Sequence, residues 1–212
     1  MNDLHQRLER TPVVPLVQAS DADTANRITG ALVKGGLTVI EVVLRTPAAL
    51  ECLERVAADN PGALVGAGTV LDQQQCRAAI AAGARFIVSP GLDEGVVATA
   101  HEAGVAVLPG IATATEAQRA RNLGVSTVKF FPASRAGGPG MLKALASVFS
   151  DLRFMPTGGI SPDNLADYLA VPAVLACGGS WLTPASAVAE GRFDEITGLA
   201  TEALNLAAAA RG

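Results

Sequence analysis

Short runs rich in valine and isoleucine recur along the chain at spacings of about 20 to 26 residues, and each is followed by an alanine-rich stretch of helical character. The runs begin near Val13 (VVPLV), Thr38 (TVIEVVL), Ala63 (ALVGAG), Arg85 (RFIVS), Val105 (VAVLP), Thr127 (TVKFF), Arg153 (RFMPT) and Val174 (VLACG). Strands that alternate with helices pair in parallel, and a strand buried on both faces reads as a continuous apolar run. Eight such units at this pitch predict an α/β fold, a compact (β/α)8 TIM barrel, with residues 1–212 forming one domain.

The intervening segments predict helices over Ala22 to Lys34, Ala48 to Ala58, Asp72 to Ala82, Glu94 to Ala103, Thr115 to Leu123, Gly140 to Ser150, Asp163 to Leu169 and Phe193 to Ala209. Asp72 and Asp163 suit helix starts, and Gly35, Gly83, Gly104 and Gly124 suit left-handed helix ends. Asn2 to Arg10 predict an extra N-terminal helix. The competing architecture, a doubly wound open sheet, usually carries a glycine-rich phosphate loop after its first strand. Here that position reads Val17-Gln18-Ala19-Ser20-Asp21, and the glycine pairs come late, at Gly158-Gly159 and Gly178-Gly179.

A net charge of -4 and the absence of a basic run argue against nucleic acid as a partner. The opening residues lack the apolar centre of a signal peptide, and no apolar stretch reaches the roughly 18 residues of a membrane span, so a cytoplasmic protein without a membrane partner is expected. Three cysteines (Cys52, Cys76, Cys177) and two well-separated histidines (His5, His101) indicate neither a disulfide framework nor a His-based metal site.

Lysine is scarce, with three (Lys34, Lys129, Lys143) beside thirteen arginines, and Lys129 stands inside Thr127-Val128-Lys129-Phe130-Phe131-Pro132, otherwise an apolar strand. A buried ammonium needs a counter-charge or loses its proton, and a neutral buried amine is a nucleophile. The bland alternative is a strand-end lysine whose head reaches solvent or pairs with a nearby carboxylate.

Barrel chemistry gathers at the carboxyl ends of the strands. In the second strand Glu41, Val43 and Arg45 share one face by alternation, which predicts a carboxylate and a guanidinium pointing inward near the mouth. A structural ion pair explains those two charges equally well. Gly66-Ala67-Gly68-Thr69 gives close backbone approach and a hydroxyl, though a tight turn would use the same residues. Ser89-Pro90-Gly91 and Pro109-Gly110 shape a cavity wall, and Phe131, on the same side as Lys129, either shields the lysine or is plain core. Thr157-Gly158-Gly159-Ile160-Ser161 and Cys177-Gly178-Gly179-Ser180-Trp181 stand where this fold cradles phosphate. An amine, a carboxylate, an arginine able to grip a carboxylate and a phosphate cradle together suit lysine-imine chemistry on a phosphorylated keto acid.

Glu41-Val42-Val43-Leu44-Arg45-Thr46, Val65-Gly66-Ala67-Gly68-Thr69-Val70, Ser89-Pro90-Gly91, Leu108-Pro109-Gly110, Val128-Lys129-Phe130-Phe131-Pro132-Ala133, Pro156-Thr157-Gly158-Gly159-Ile160 and Gly178-Gly179-Ser180-Trp181-Leu182 occur in order. Together they resemble the bacterial 2-keto-3-deoxy-6-phosphogluconate aldolases, a family that includes 4-hydroxy-2-oxoglutarate aldolases. The resemblance spans nearly the whole chain. It implies a homotrimeric class I aldolase of the Entner–Doudoroff route, cleaving 2-keto-3-deoxy-6-phosphogluconate to pyruvate and glyceraldehyde 3-phosphate without a metal or cofactor. By position it implies that Lys129 forms the imine and Glu41 transfers protons. Arg45 and Thr69 match the pyruvate-carboxylate site, Gly158, Gly159, Gly179 and Ser180 the phosphate loops, and Pro90, Phe131 and Thr157 complete the substrate-facing set. Ser134 departs from the acidic residue common in the family. Preference for 4-hydroxy-2-oxoglutarate or the galactonate epimer stays open, as do a sugar-phosphate isomerase or epimerase and a non-catalytic phospho-ligand barrel.

Overall fold

The computed structural model describes residues 3–211. Helix α1 (Asp3–Arg10) precedes β1 (Val13–Val17), followed by α2 (Ala22–Lys34), β2 (Val39–Val43), α3 (Ala49–Asp59), β3 (Leu64–Gly68), α4 (Gln73–Ala81) and β4 (Phe86–Val88). Then come α5 (Glu94–Glu102), β5 (Ala106–Leu108), β6 (Gly110–Ile111), α6 (Ala114–Asn122), β7 (Thr127–Phe130) and α7 (Gly138–Val148). The last elements are β8 (Arg153–Pro156), α8 (Leu165–Leu169), β9 (Cys177–Gly179), α9 (Ala185–Ala189) and α10 (Phe193–Arg211). Asn2, expected to open the leading helix, lies outside the described residues.

All strand pairing is parallel, in the orders β5-β4-β3-β2-β1-β9 and β6-β7-β8, and the sheet is curled. Backbone bonds join the two groups. Bridges pair Phe154 with Val174 and Thr157 with Gly178, and Leu175 N–H donates to Phe154 O at 2.8 Å, while within the second group Lys129 N–H donates to Pro109 O at 2.9 Å and Phe131 N–H to Ile111 O at 3.0 Å.

Alternation divides the strand side chains between two apolar clusters. Ile40, Val42, Ile87, Val128, Phe130 and Phe154 face the helix layer, whereas Val14, Val39, Leu64, Phe86, Val88, Leu108 and Met155 fill the interior of the curl. Leu4 and Leu8 of α1 belong to that interior cluster, so α1 closes the amino-terminal end of the curl with its apolar face. Each such buried leucine contributes roughly 1.5–3 kcal/mol.

Several expectations shift in detail. Pro109 has no N–H to give the ladder, and the fifth run divides there into β5 and a two-residue β6. The eighth begins with a single bridge at Val174, and its strand proper is Cys177–Gly179. Gly35 is right-handed (φ −78°) and the left-handed residue is Gly36 (φ 98°), while Gly83, Gly104 and Gly124 have positive φ as expected. Asp163 does not cap α8, which follows Asn164. Helix α9 was not foreseen, since five residues are too few to show helical periodicity. The three cysteines are buried and free, and burial pushes the Cys177 thiol up to about 12.

His5 on α1 places Nε2 2.7 Å from Thr127 Oγ1. Burial, then the charge of Arg153, holds its pKa below the usual 6.5. The unfolded chain therefore takes up this proton first, and stability present above pH 6.5 is lost as pH falls through the depressed folded value. Melting temperatures recorded on either side of that pH should show His5→Gln losing less stability on acidification than the parent chain.

Candidate active site

Strands β2 and β7 lie across the interior from one another and bring together the two charged side chains that sequence singled out. Lys129 Nζ lies 3.4 Å from Glu41 Oε1, with side-chain exposures of 3% and 0%. Among the described residues these are the charged side chains in the buried class. Glu41 Oε2 is buried without a hydrogen-bond partner, leaving a free acceptor beside the amine. The Phe131 ring centroid is 5.4 Å from Nζ, so the ring lies beside the amine. Removing two charges from water costs several kcal/mol per ion, and an apolar pair of similar volume stabilises a core at least as well. The pair is therefore a weak source of stability.

Gly68, at the end of β3, makes room for the carboxylate: a Cβ there would collide with Glu41 Oε1. Gly68→Ala should accordingly push Glu41 away from Lys129, lowering kcat by about 10²-fold or more, because misplacement of about 1 Å costs this much. Overpacking should also remove about 1–3 kcal/mol of stability. Steady-state kinetics and a denaturant titration would separate the two effects.

The mouth differs from the alternation argument at Arg45. Strand β2 ends at Val43, after which Leu44 N–H makes the last ladder bond to Gly68 O at 2.8 Å and Arg45 N–H folds back on Val43 O at 2.9 Å, so Arg45 is exposed at the rim and not directed into the interior. Its Nε donates to Thr69 Oγ1 at 3.0 Å, uniting the two predicted carboxylate-binding residues. Thr69 has φ 61°, and a β-branched residue held there costs of order 1–3 kcal/mol. That strain aims its hydroxyl at the guanidinium. Arg45 and Val43 line a cavity of about 510 Å³ that also reaches Leu16, Gln18 and Ser180. Pro90 is half-buried and its carbonyl abuts Gly110, where a Cβ would clash, while Ser89 Oγ donates to Gly91 O at 2.7 Å.

The late glycine loops sit side by side, because Thr157 pairs with Gly178. Thr157 is buried, and Gly178 lacks a Cβ where Thr157 Oγ1 lies. Gly158 and Gly159 have φ of 94° and 79°, and the backbone N–H groups of Gly159, Ile160 and Ser180 donate to no group among the described residues. Free N–H groups on successive loop residues form a seat for an anion. Asn164, which sequence reasoning passed over in favour of Asp163, clamps this loop: its Nδ2 donates to Gly159 O at 2.9 Å and its Oδ1 accepts from Ser161 N–H at 3.0 Å. Ser134 leans on the same loop, its N–H donating to Gly158 O at 3.0 Å.

The Lys129 amine, the Glu41 carboxylate, the Arg45 guanidinium at the rim and the late glycine loops are thus brought together on the carboxyl side of the strands. The family model described as KDPG and KHG aldolase matches residues 4–199. The chain belongs to this family. A KDPG and KHG aldolase relative, the 2-dehydro-3-deoxy-phosphogluconate aldolase of Treponema pallidum, is 45% identical over 97% of this chain and 98% of its own length. The structure of the Zymomonas mobilis ZM4 2-keto-3-deoxy-6-phosphogluconate aldolase with 3-phosphoglycerate superposes with a TM-score of 0.88 at 44% identity, covering 95% of each chain. The KDPG aldolase of Legionella pneumophila, with pyruvate captured as a covalent carbinolamine, gives a TM-score of 0.90 at 37% identity, covering 94% of this chain and 97% of that one.

Proposed function

We propose that this chain is a class I aldolase that cleaves 2-dehydro-3-deoxy-6-phosphogluconate to pyruvate and glyceraldehyde 3-phosphate in the Entner–Doudoroff route. The observation that carries this reading is the Lys129 amine, held 3.4 Å from Glu41 inside an apolar enclosure. The amine attacks the C2 carbonyl and Glu41 moves protons through the carbinolamine to the imine. Glu41, directly or through a water, then takes the C4 hydroxyl proton. The C3–C4 bond breaks to release the aldehyde, its electron pair passing into the iminium to form an enamine. Protonation at C3 and hydrolysis return pyruvate and the free amine. Arg45 and Thr69 hold the substrate carboxylate, and Gly158, Gly159, Gly179 and Ser180 hold the phosphate. Pro90, Phe131 and Thr157 line the path between them. The unused N–H groups of the glycine loop favour a phosphorylated substrate over 4-hydroxy-2-oxoglutarate.

The parallel pairing supports reading the curl as a (β/α)8 barrel in one domain, with β5 and β6 as one interrupted strand and α1 as the extra N-terminal helix. We further assign the protein to the cytoplasm as a homotrimer, by analogy with the family; no helix among the described residues is long and apolar enough to cross a membrane. A coupled assay for pyruvate released from 2-dehydro-3-deoxy-6-phosphogluconate, paired with borohydride trapping of pyruvate, tests the function. A purified folded chain that releases no pyruvate and gains no mass on reduction would refute it.

A further inference from the structure

The 510 Å³ cavity at the mouth has polar side chains from three adjoining loops, and most of them are engaged internally. Ser20 and Thr24 hydroxyls donate to Asp21 Oδ2, Thr46 Oγ1 donates to Ala19 O, Thr183 Oγ1 to Leu16 O, and Arg45 Nε to Thr69. Gln18 and Ser180 are the lining residues whose side chains make no hydrogen bond among the described residues. Gln18 is exposed and directly follows β1, the strand between β9 and β2 in the sheet. It therefore stands on the rim between Ser180, which follows β9, and Arg45, which follows β2.

On the proposed function, on which this inference rests, Arg45 holds the substrate carboxylate and Ser180 the phosphate, so the chain carrying the C4 and C5 hydroxyls runs past the intervening rim. A primary amide both donates and accepts and so matches a hydroxyl, which does the same. We propose that Gln18 is a specificity residue that hydrogen-bonds the C5 hydroxyl of the phosphorylated six-carbon substrate. 4-Hydroxy-2-oxoglutarate carries a carboxylate carbon at that position and has no such hydroxyl.

The test compares kcat/KM for 2-dehydro-3-deoxy-6-phosphogluconate and 4-hydroxy-2-oxoglutarate in the parent chain and in Gln18→Leu, which keeps the volume and loses the amide. The ratio of the two constants should fall by about 3- to 10-fold, through KM for the phosphorylated substrate, as one neutral hydrogen bond predicts. Gln18→Asn should recover part of it. A ratio within about twofold of the parent, or equal losses on both substrates, overturns the assignment. Borohydride trapping of pyruvate in each variant confirms an intact site. A parent chain that traps no pyruvate defeats the aldolase reading itself, whereas trapping with an unaltered ratio defeats only the role of Gln18.

Discussion

Lys129→Ala is expected to lower turnover of 2-dehydro-3-deoxy-6-phosphogluconate by about 10⁴-fold or more, since loss of a covalent nucleophile removes the intermediate on which every later step depends. The same change leaves Glu41 buried without its counter-ion, which costs about 3–5 kcal/mol if the carboxylate stays charged. Lost activity in this variant alone would thus mix chemistry with folding. Lys129→Arg resolves the two, because the guanidinium keeps the positive charge and stays protonated at any working pH. It should preserve more of the stability while remaining inactive and adding no mass when pyruvate and borohydride are supplied. Substantial turnover in Lys129→Arg, with melting close to that of the parent, would reduce the lysine to an ion-pair partner.

Glu41→Gln should slow kcat by about 10²- to 10⁴-fold while leaving a detectable, slower rate of pyruvate trapping. The amide is isosteric with the carboxylate and preserves the contact at Gly68, but it cannot accept a proton from the C4 hydroxyl or return one to the carbinolamine. Exchange of the pyruvate methyl protons with deuterium oxide, followed by NMR, isolates the enamine step. It should slow alongside cleavage if one carboxylate serves both. A kcat within about tenfold of the parent would instead make Glu41 a structural partner for the lysine.

Much of this site was legible before any coordinates because its two central residues break the pattern around them. Strands β1, β2, β3 and β7 are buried along their whole length, so Glu41 and Lys129 interrupt otherwise apolar runs. Helix starts were legible where a side chain caps its own helix, as Asp72 does by accepting from Gln75 N–H. Other features depend on contacts made only in the folded chain and leave little local trace. The space that Gly68 provides exists only because Glu41 arrives from the adjoining strand, and Asn164 clamps a loop five residues earlier through a bond its sequence context does not announce. Arg45 was misdirected because alternation assumes the strand continues, whereas the ladder ends at Val43. Thr69 illustrates a backbone choice that propensity disfavours and that the completed structure imposes.

The amine and the carboxylate that meet at 3.4 Å are separated by 88 positions along the chain. Neither half of the polypeptide holds both, so cleavage activity appears only when early and late strands have docked across the same enclosure. Recovery of turnover after dilution from denaturant should consequently lag behind the recovery of helical circular dichroism.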